Sequence, residues 1–385
     1  MLNILTIDVE DYFQVHAFSG VIKYGDWSNF ECRIERNTDR LLSILSDSGT
    51  KNDSIASPHQ GKTSTRQHSS TASLSHSITH SLNNSFTKRV QGTFFVLGWI
   101  AERYPDLVRR IQKEGHEIAC HGYAHRLVYT QSRDEFRQDI KRAKSILEDI
   151  TGKEVIGYRA PSYSITNKSQ WAFDVLVEEG FKYDSSIFPI RHDFYGMPEA
   201  PRFPFVVSFN GNDNFEFSML NVEFNTAPPN KCSTAARSNS LTHSLINPAS
   251  GISEPQHRNT AAHSNSLTYS LINSRALIEF PLSTAKLFGQ NFPISGGGYF
   301  RLFPYSLIRK GLRSINKKEG EPFIFYMHPW EIDPKQPRIN GLSSRSKFRH
   351  YVNLSKTEEK FGRLLKDFNF SSVKHILQLN NSLIY

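Results

Sequence analysis

The chain has 385 residues, a net charge of +9 and 38% hydrophobic residues, 28 Phe among them, which is material for a real core diluted by polar segments. No apolar run reaches the roughly 18 residues of a membrane span, and no Lys/Arg block or zinc-finger spacing supports nucleic-acid binding. Cys32, Cys120 and Cys232 are too few and too scattered for a disulfide framework. The opening Met1–Asp8 lacks the basic region of a signal peptide, so the expected place of action is the cytoplasm.

Residues 2–7 are apolar and run into Asp8-Val9-Glu10-Asp11, a strand delivering three carboxylates at its C-terminal end. In barrels and open α/β sheets that end is where chemistry sits. Residues 33–47 have helical periodicity through Ile34, Leu41, Leu42 and Leu45. The stretch 91–98 reads as a second strand, 99–115 as a helix, and 117–120 as a third strand ending in His121-Gly122-Tyr123-Ala124-His125. Helices are expected over 133–150 and 168–179, with strands at 155–158 and from 181. The first of these strands ends in Arg159-Ala160-Pro161-Ser162-Tyr163, and the second in Asp184.

After Ala276–Phe280 comes Ser295-Gly296-Gly297-Gly298-Tyr299-Phe300-Arg301. No Gly-Lys-Ser/Thr follows, so this is a tight turn with close backbone approach rather than a phosphate loop. A helix at 304–316 precedes the strand 322–327, which ends in His328-Pro329-Trp330-Glu331. A helix at 356–369 and a strand at 372–379 complete the chain. The alternation implies an α/β fold with parallel strands.

Two stretches break the rhythm. Residues 50–88 and 228–275 are rich in Ser, Thr, His and Asn and are expected to be disordered low-complexity inserts. The ten residues from Ser238 recur almost unchanged from Ser264. His76 and His80 repeat the spacing of His121 and His125, but without a strand or an acid beside them they are a decoy.

Strand ends therefore offer Asp8, Glu10, Asp11, His121, His125, Arg159, Asp184 and His328. Two histidines plus a carboxylate form a hydrolytic metal set. A further carboxylate can act as base, an arginine can orient it, and a separate histidine can protonate a leaving group.

These motifs, in this order, resemble the polysaccharide deacetylases of carbohydrate esterase family 4, the NodB-homology fold, in the exopolysaccharide-locus subgroup with a C-terminal extension. The resemblance covers the chain outside the two inserts. It implies a distorted (β/α) barrel of fewer than eight strands over residues 1–300, with 301–385 completing it and carrying the His328 motif. It implies a divalent metal, zinc by preference, on His121, His125 and an acid. It also implies Asp8 as catalytic base, Arg159 as its tether and His328 as general acid. An oxyanion is expected to meet a backbone N–H near Ser162, and the glycan to meet Ser162, Tyr163, Asp184, Tyr299 and Trp330.

The usual pair of adjacent aspartates on the first strand is absent, because Val9 follows Asp8. The third ligand is thus Glu10 or Asp11, with Glu10 favoured. The expected activity is removal of N-acetyl groups from N-acetylhexosamine units of a polysaccharide or its precursor, in exopolysaccharide biosynthesis. The alternatives are an amidohydrolase acting on a small non-peptide amide and a non-catalytic carbohydrate-binding barrel.

Overall fold

The first strand sets the architecture. In β1 (Leu2–Val9), side chains alternate between two faces. Leu5, Ile7 and Val9 join the large core beneath the helices, while Ile4 belongs to a second, smaller core. Thr6 and Asp8 share the face of Ile4 and are equally buried. A strand buried on both sides is the signature of a parallel sheet covered by helices.

The computed structural model describes residues 1–48, 90–192, 194–209, 215–220 and 276–379. The expected inserts, including His76 and His80, lie outside the described residues. The strands after β1 are β2 (Thr93–Val96), β3 (Glu117–Cys120), β4 (Gly157–Tyr158), β5 (Tyr183–Asp184), β6 (Phe205–Phe209) and β7 (Phe215–Met219). They are followed by β8 (Ala276–Glu279), β9 (Thr284–Leu287), β10 (Gln290–Pro293), β11 (Ile324–Met327) and β12 (Asn369–Ser371). Strands β11-β1-β2-β3-β4-β5-β8 pair in parallel in that order. This is an α/β fold with a mostly parallel sheet: seven strands form the main path, and β12 adds an eighth parallel strand beside the start of β1. An antiparallel β6-β7 hairpin continues from β8, β9 and β10 form a separate hairpin, and β12 pairs with the start of β1.

The smaller core fills the interior with Ile4, Phe95, Ala119, Ile156, Tyr183 and Ile324. The helix Val373–Leu379 closes the end opposite the site, donating Val373 N–H to Thr93 Oγ1 (2.9 Å) and Lys374 N–H to Glu117 Oε2 (2.9 Å). Beyond β11 the seam is held by a parallel bridge from Gly296 to Tyr326. Gly296 has φ 145°, and a Cβ there would lie 2.0 Å from the Tyr326 carbonyl oxygen, so the close approach expected of this glycine run is real.

Two sequence expectations are corrected. Residues 372–379 are helix rather than strand. The helix expected over 99–115 is two helices, Gly98–Arg103 and Pro105–Lys113, broken at Tyr104 (φ −128°, ψ 58°) because Pro105 disfavours helical geometry in the residue before it. Among the described residues no helix is long and apolar enough to cross a membrane.

Candidate active site

The inward face of β1 carries the first acids. The period of two puts Asp8 and Glu10 on the same side, with Val9 pointing into the helical layer. Chain reversal after β3 brings in the histidines. Gly122 takes φ 73°, and a Cβ there would lie 2.8 Å from Asp139 Oδ2. Asp139, on the helix Arg133–Thr151, accepts from Tyr123 N–H (2.7 Å) and Ala124 N–H (3.3 Å), fixing the turn. His125 then follows in a left-handed conformation, φ 50°.

Glu10, His121 and His125 each present one ligand atom, all within 4.8 Å of one another. His125 Nε2 is 2.6 Å from Glu10 Oε2, yet that buried oxygen accepts no well-formed hydrogen bond. His121 Nδ1 lies 2.8 Å from the Arg159 carbonyl oxygen, which can only accept, so the proton sits on Nδ1 and the Nε2 lone pair is left free. Burial pushes His121 down to about 4, which keeps it neutral. Burial alone would raise Glu10, but His125, His328 and His121 outweigh it and hold the carboxyl at about 2. A buried acid with an unsatisfied oxygen beside two imidazoles fits a divalent cation by chemistry and by geometry.

Asp8 stands next to this cluster. Arg159, fully buried, donates from Nη1 to Asp8 Oδ1 (2.7 Å) and Thr6 Oγ1 (2.8 Å). Its Nε and Nη2 donate to Ser185 O (2.9 Å) and Ser185 Oγ (2.7 Å), so the guanidinium is pinned on every edge. The Tyr163 hydroxyl donates to Asp8 Oδ2 at 3.3 Å.

His328, at the end of β11, closes the opposite side. β11 pairs directly with β1, which places His328 Nε2 3.8 Å from Asp8 Oδ2 and 3.5 Å from Glu10 Oε1. Its Nδ1 is 2.7 Å from Glu331 Oε1, and Glu331 Oε2 accepts from Arg301 Nε at 2.7 Å. Burial would lower His328, but the Glu331 hydrogen bond and the charges of Glu10, Glu331 and Asp8 outweigh it and push it up to about 9. One histidine is thus kept neutral and another protonated within one cleft.

Parts of the chain are similar to known proteins. Residues 75–177 match the family described as polysaccharide deacetylase, and residues 250–378 match a domain of unknown function, DUF3473. Residues 75–177 thus resemble the polysaccharide deacetylases. It is 29% identical over 102 residues to the Helicobacter pylori peptidoglycan deacetylase, covering 26% of this chain and 33% of that protein. It is 38% identical over 84 residues to a Bacillus cereus peptidoglycan-N-acetylglucosamine deacetylase, covering 22% of this chain and 30% of that one. The match therefore spans about a third of these curated relatives. A crystal structure described as a polysaccharide deacetylase from Mycobacterium smegmatis overlays 98% of this chain and 89% of its own, with 15% identity and a TM-score of 0.47.

Several expected site residues are placed differently. Asp11 is not in the metal cluster. Its Oδ1 accepts from Tyr12 N–H (2.8 Å) and its Oδ2 from Arg33 N–H (2.5 Å), and burial raises it to about 6. Asp184 is not a glycan contact. It is fully buried, accepts from Ser186 Oγ (2.6 Å) and shares its environment with Glu279. Trp330 is 5% exposed, stacks on His328 (5.2 Å between centroids) and on His350 (4.2 Å), and points Nε1 at Glu10 Oε1 (3.4 Å), so it backs the site rather than facing solvent.

Tyr163 reaches Asp8 itself, and Tyr299 is half-buried, stacked on Phe303 and hydrogen-bonded to Tyr195. Ser162 is half-buried with φ 53°, and the next N–H, of Tyr163, is already donated to Ala160 O (3.0 Å). Sequence reasoning assigned no role to Asp139, Thr6, Ser185 or the individual partners Glu331 and Arg301. The last two stood inside quoted motifs, and a carboxylate three residues after His328 was the available signal.

Proposed function

We propose that this protein is a metal-dependent deacetylase that hydrolyses N-acetyl groups on N-acetylhexosamine units of a polysaccharide or its precursor. The observation that carries the reading is the convergence of Glu10, His121 and His125 beside Asp8, with a protonated His328 across the cleft. The names of the matched relatives, peptidoglycan deacetylases, favour the same substrate chemistry.

Glu10, His121 and His125 would hold the cation, for which zinc suits a set of two imidazoles and one carboxylate. When bound, it supplies Lewis acidity toward the acetamide carbonyl and makes water nucleophilic near neutral pH. Asp8, oriented by Arg159, takes the proton of the attacking water. The Ser162 N–H is the donor we assign to the developing oxyanion. His328 Nε2 gives a proton to the nitrogen as the C–N bond breaks, releasing acetate and a free amine. We assign the pathway to exopolysaccharide biosynthesis on the motif order set out above.

The test is acetate release from N-acetylglucosamine oligosaccharides with and without chelator, and with His125→Ala. Activity is expected to vanish in both cases and to return on adding zinc to the chelated wild type. Activity that survives both treatments refutes the metal reading.

A further inference from the structure

Residues 335–349 carry five cations, Lys335, Arg338, Arg345, Lys347 and Arg349, and no acidic residue. All five are exposed, and among the described residues Lys335, Lys347 and Arg349 make no ion pair. The residues of this segment that point inward are neutral. His350, just past its end, is buried, and burial holds it well below the usual imidazole range, so it is uncharged. Its Nε2 donates to Gln336 Oε1 (2.6 Å), and Gln336 Nε2 donates to the Trp330 carbonyl oxygen (2.8 Å).

The segment is also bolted to the catalytic side. Arg301, the partner of Glu331, donates to the carbonyl oxygens of Arg349 (3.0 Å) and His350. His350 stacks on Trp330 at 4.2 Å and 14°, and Trp330 stacks on His328 at 5.2 Å and 23°. On the other side, the Arg349 guanidinium is near enough to Tyr195 to act on its hydroxyl. Tyr195 packs on Tyr163 (6.0 Å), whose own hydroxyl reaches Asp8. The C-terminal end of this basic segment, at Arg349 and His350, is thus tied to the residues that flank His328 and Asp8.

We propose that Lys335, Lys347 and Arg349 form a rim that binds the carboxylates of an acidic glycan, on sugars flanking the N-acetylated unit presented to Asp8 and His328. The proposal rests on the deacetylase reading of the site. A membrane surface is the competing partner for a basic segment with an exposed Phe348. Rigid stacking onto the general-acid side favours the glycan, because a segment serving only to hold the protein on lipid needs no alignment with His328. Complementary charges at such a rim set specificity and salt dependence.

The test compares the wild type with a triple Lys335→Glu, Lys347→Glu, Arg349→Glu variant. The ligands are a hexasaccharide of hyaluronan, which alternates glucuronate with N-acetylglucosamine, and a chitin hexamer of the same length, which is neutral. Binding is read by calorimetry at low and at physiological salt, with the melting temperature as a folding control. The wild type is expected to bind the acidic hexamer more tightly, with an affinity that falls as salt rises. The variant should lose about tenfold or more on the acidic hexamer and stay within twofold on chitin.

Equal wild-type affinity for the two ligands, absent binding of the acidic one, or an equal loss on both in the variant overturns the proposal. So does a variant that loses binding to vesicles containing phosphatidylserine while keeping its hyaluronan affinity. Absence of acetate release from either glycan with zinc supplied counts against the deacetylase reading, whereas the binding difference decides the rim by itself.

Discussion

Glu331→Gln isolates the contribution of one buried carboxylate to His328, the proposed general acid. Glutamine keeps the length and one acceptor oxygen, enough for His328 Nδ1 or Arg301 Nε but not both, while removing the charge that helps hold His328 at about 9. At about pH 8 a group of that affinity is roughly 90% protonated, against about 3% for an unperturbed imidazole. The ceiling on the loss is therefore about 30-fold, and because Glu10 and Asp8 still act on His328 we expect roughly tenfold. Near pH 6 both forms are mostly protonated, and the two enzymes should differ by less than about twofold. The assay is acetate release across pH 5.5–9.5 on the metal-loaded protein. The basic limb of the profile should move down by one to two pH units in the variant. A uniform loss at every pH, with the basic limb unmoved, would show that Glu331 only packs and would refute the electrostatic reasoning.

Arg159→Met strips Asp8 of a buried partner and should cost about 3–5 kcal/mol in a urea titration, together with all measurable deacetylation; a loss below about 1 kcal/mol would mean Asp8 is not held as a charge. A separate buried pair is governed by burial, which raises Asp184 to about 6, and by burial together with the Asp184 charge, which push Glu279 well above its usual range. A raised carboxyl stabilises the fold below its unfolded value and loses that contribution as pH rises through the folded one, so Asp184 accounts for a decline of up to about 3 kcal/mol between roughly pH 4 and 6. Asp184→Asn should flatten the melting-temperature profile there and just above, and an unchanged slope would exclude this pair as its source. Gly296→Ala forces a Cβ to 2.0 Å from Tyr326 O in a backbone conformation alanine rarely adopts, and should destabilise by more than about 3 kcal/mol. Wild-type thermal stability in that variant would mean the seam at β11 relaxes freely.

Much of the site was readable because strand periodicity is exact. The spacing Asp8-x-Glu10 places both acids inward, whereas Asp11 turns to the backbone of Tyr12 and Arg33. His121 and His125 could be told from the decoy pair only by the strand before them and the acids expected beside them. What sequence did not disclose depends on distant partners. Asp139 orders the histidine turn from a helix 14 residues on from His125, and Asp184 is paired with Glu279, 95 residues away, whose carboxyl it pushes up. The closing helix was misread because Val373, Ile376 and Leu377 form too short an apolar set for period alone to separate helix from strand. Pro105, by contrast, marked the break at Tyr104 in plain sight.

The pairing of β1 with β11 also bears on biosynthesis. Asp8 leaves the ribosome about 320 residues before His328, yet they face each other from adjacent strands. At roughly 5–20 residues per second, the nascent chain carries the base and both histidines for many seconds before the acid arrives. Throughout that interval the β11-facing edge of β1 has no strand beside it and the helix Val373–Leu379 has not closed the barrel floor. Completion of the proposed base–acid pair and the covering of that edge thus come together, so a chain stalled before β11 would lack the proposed acid and would expose a strand edge of the kind that chaperones bind.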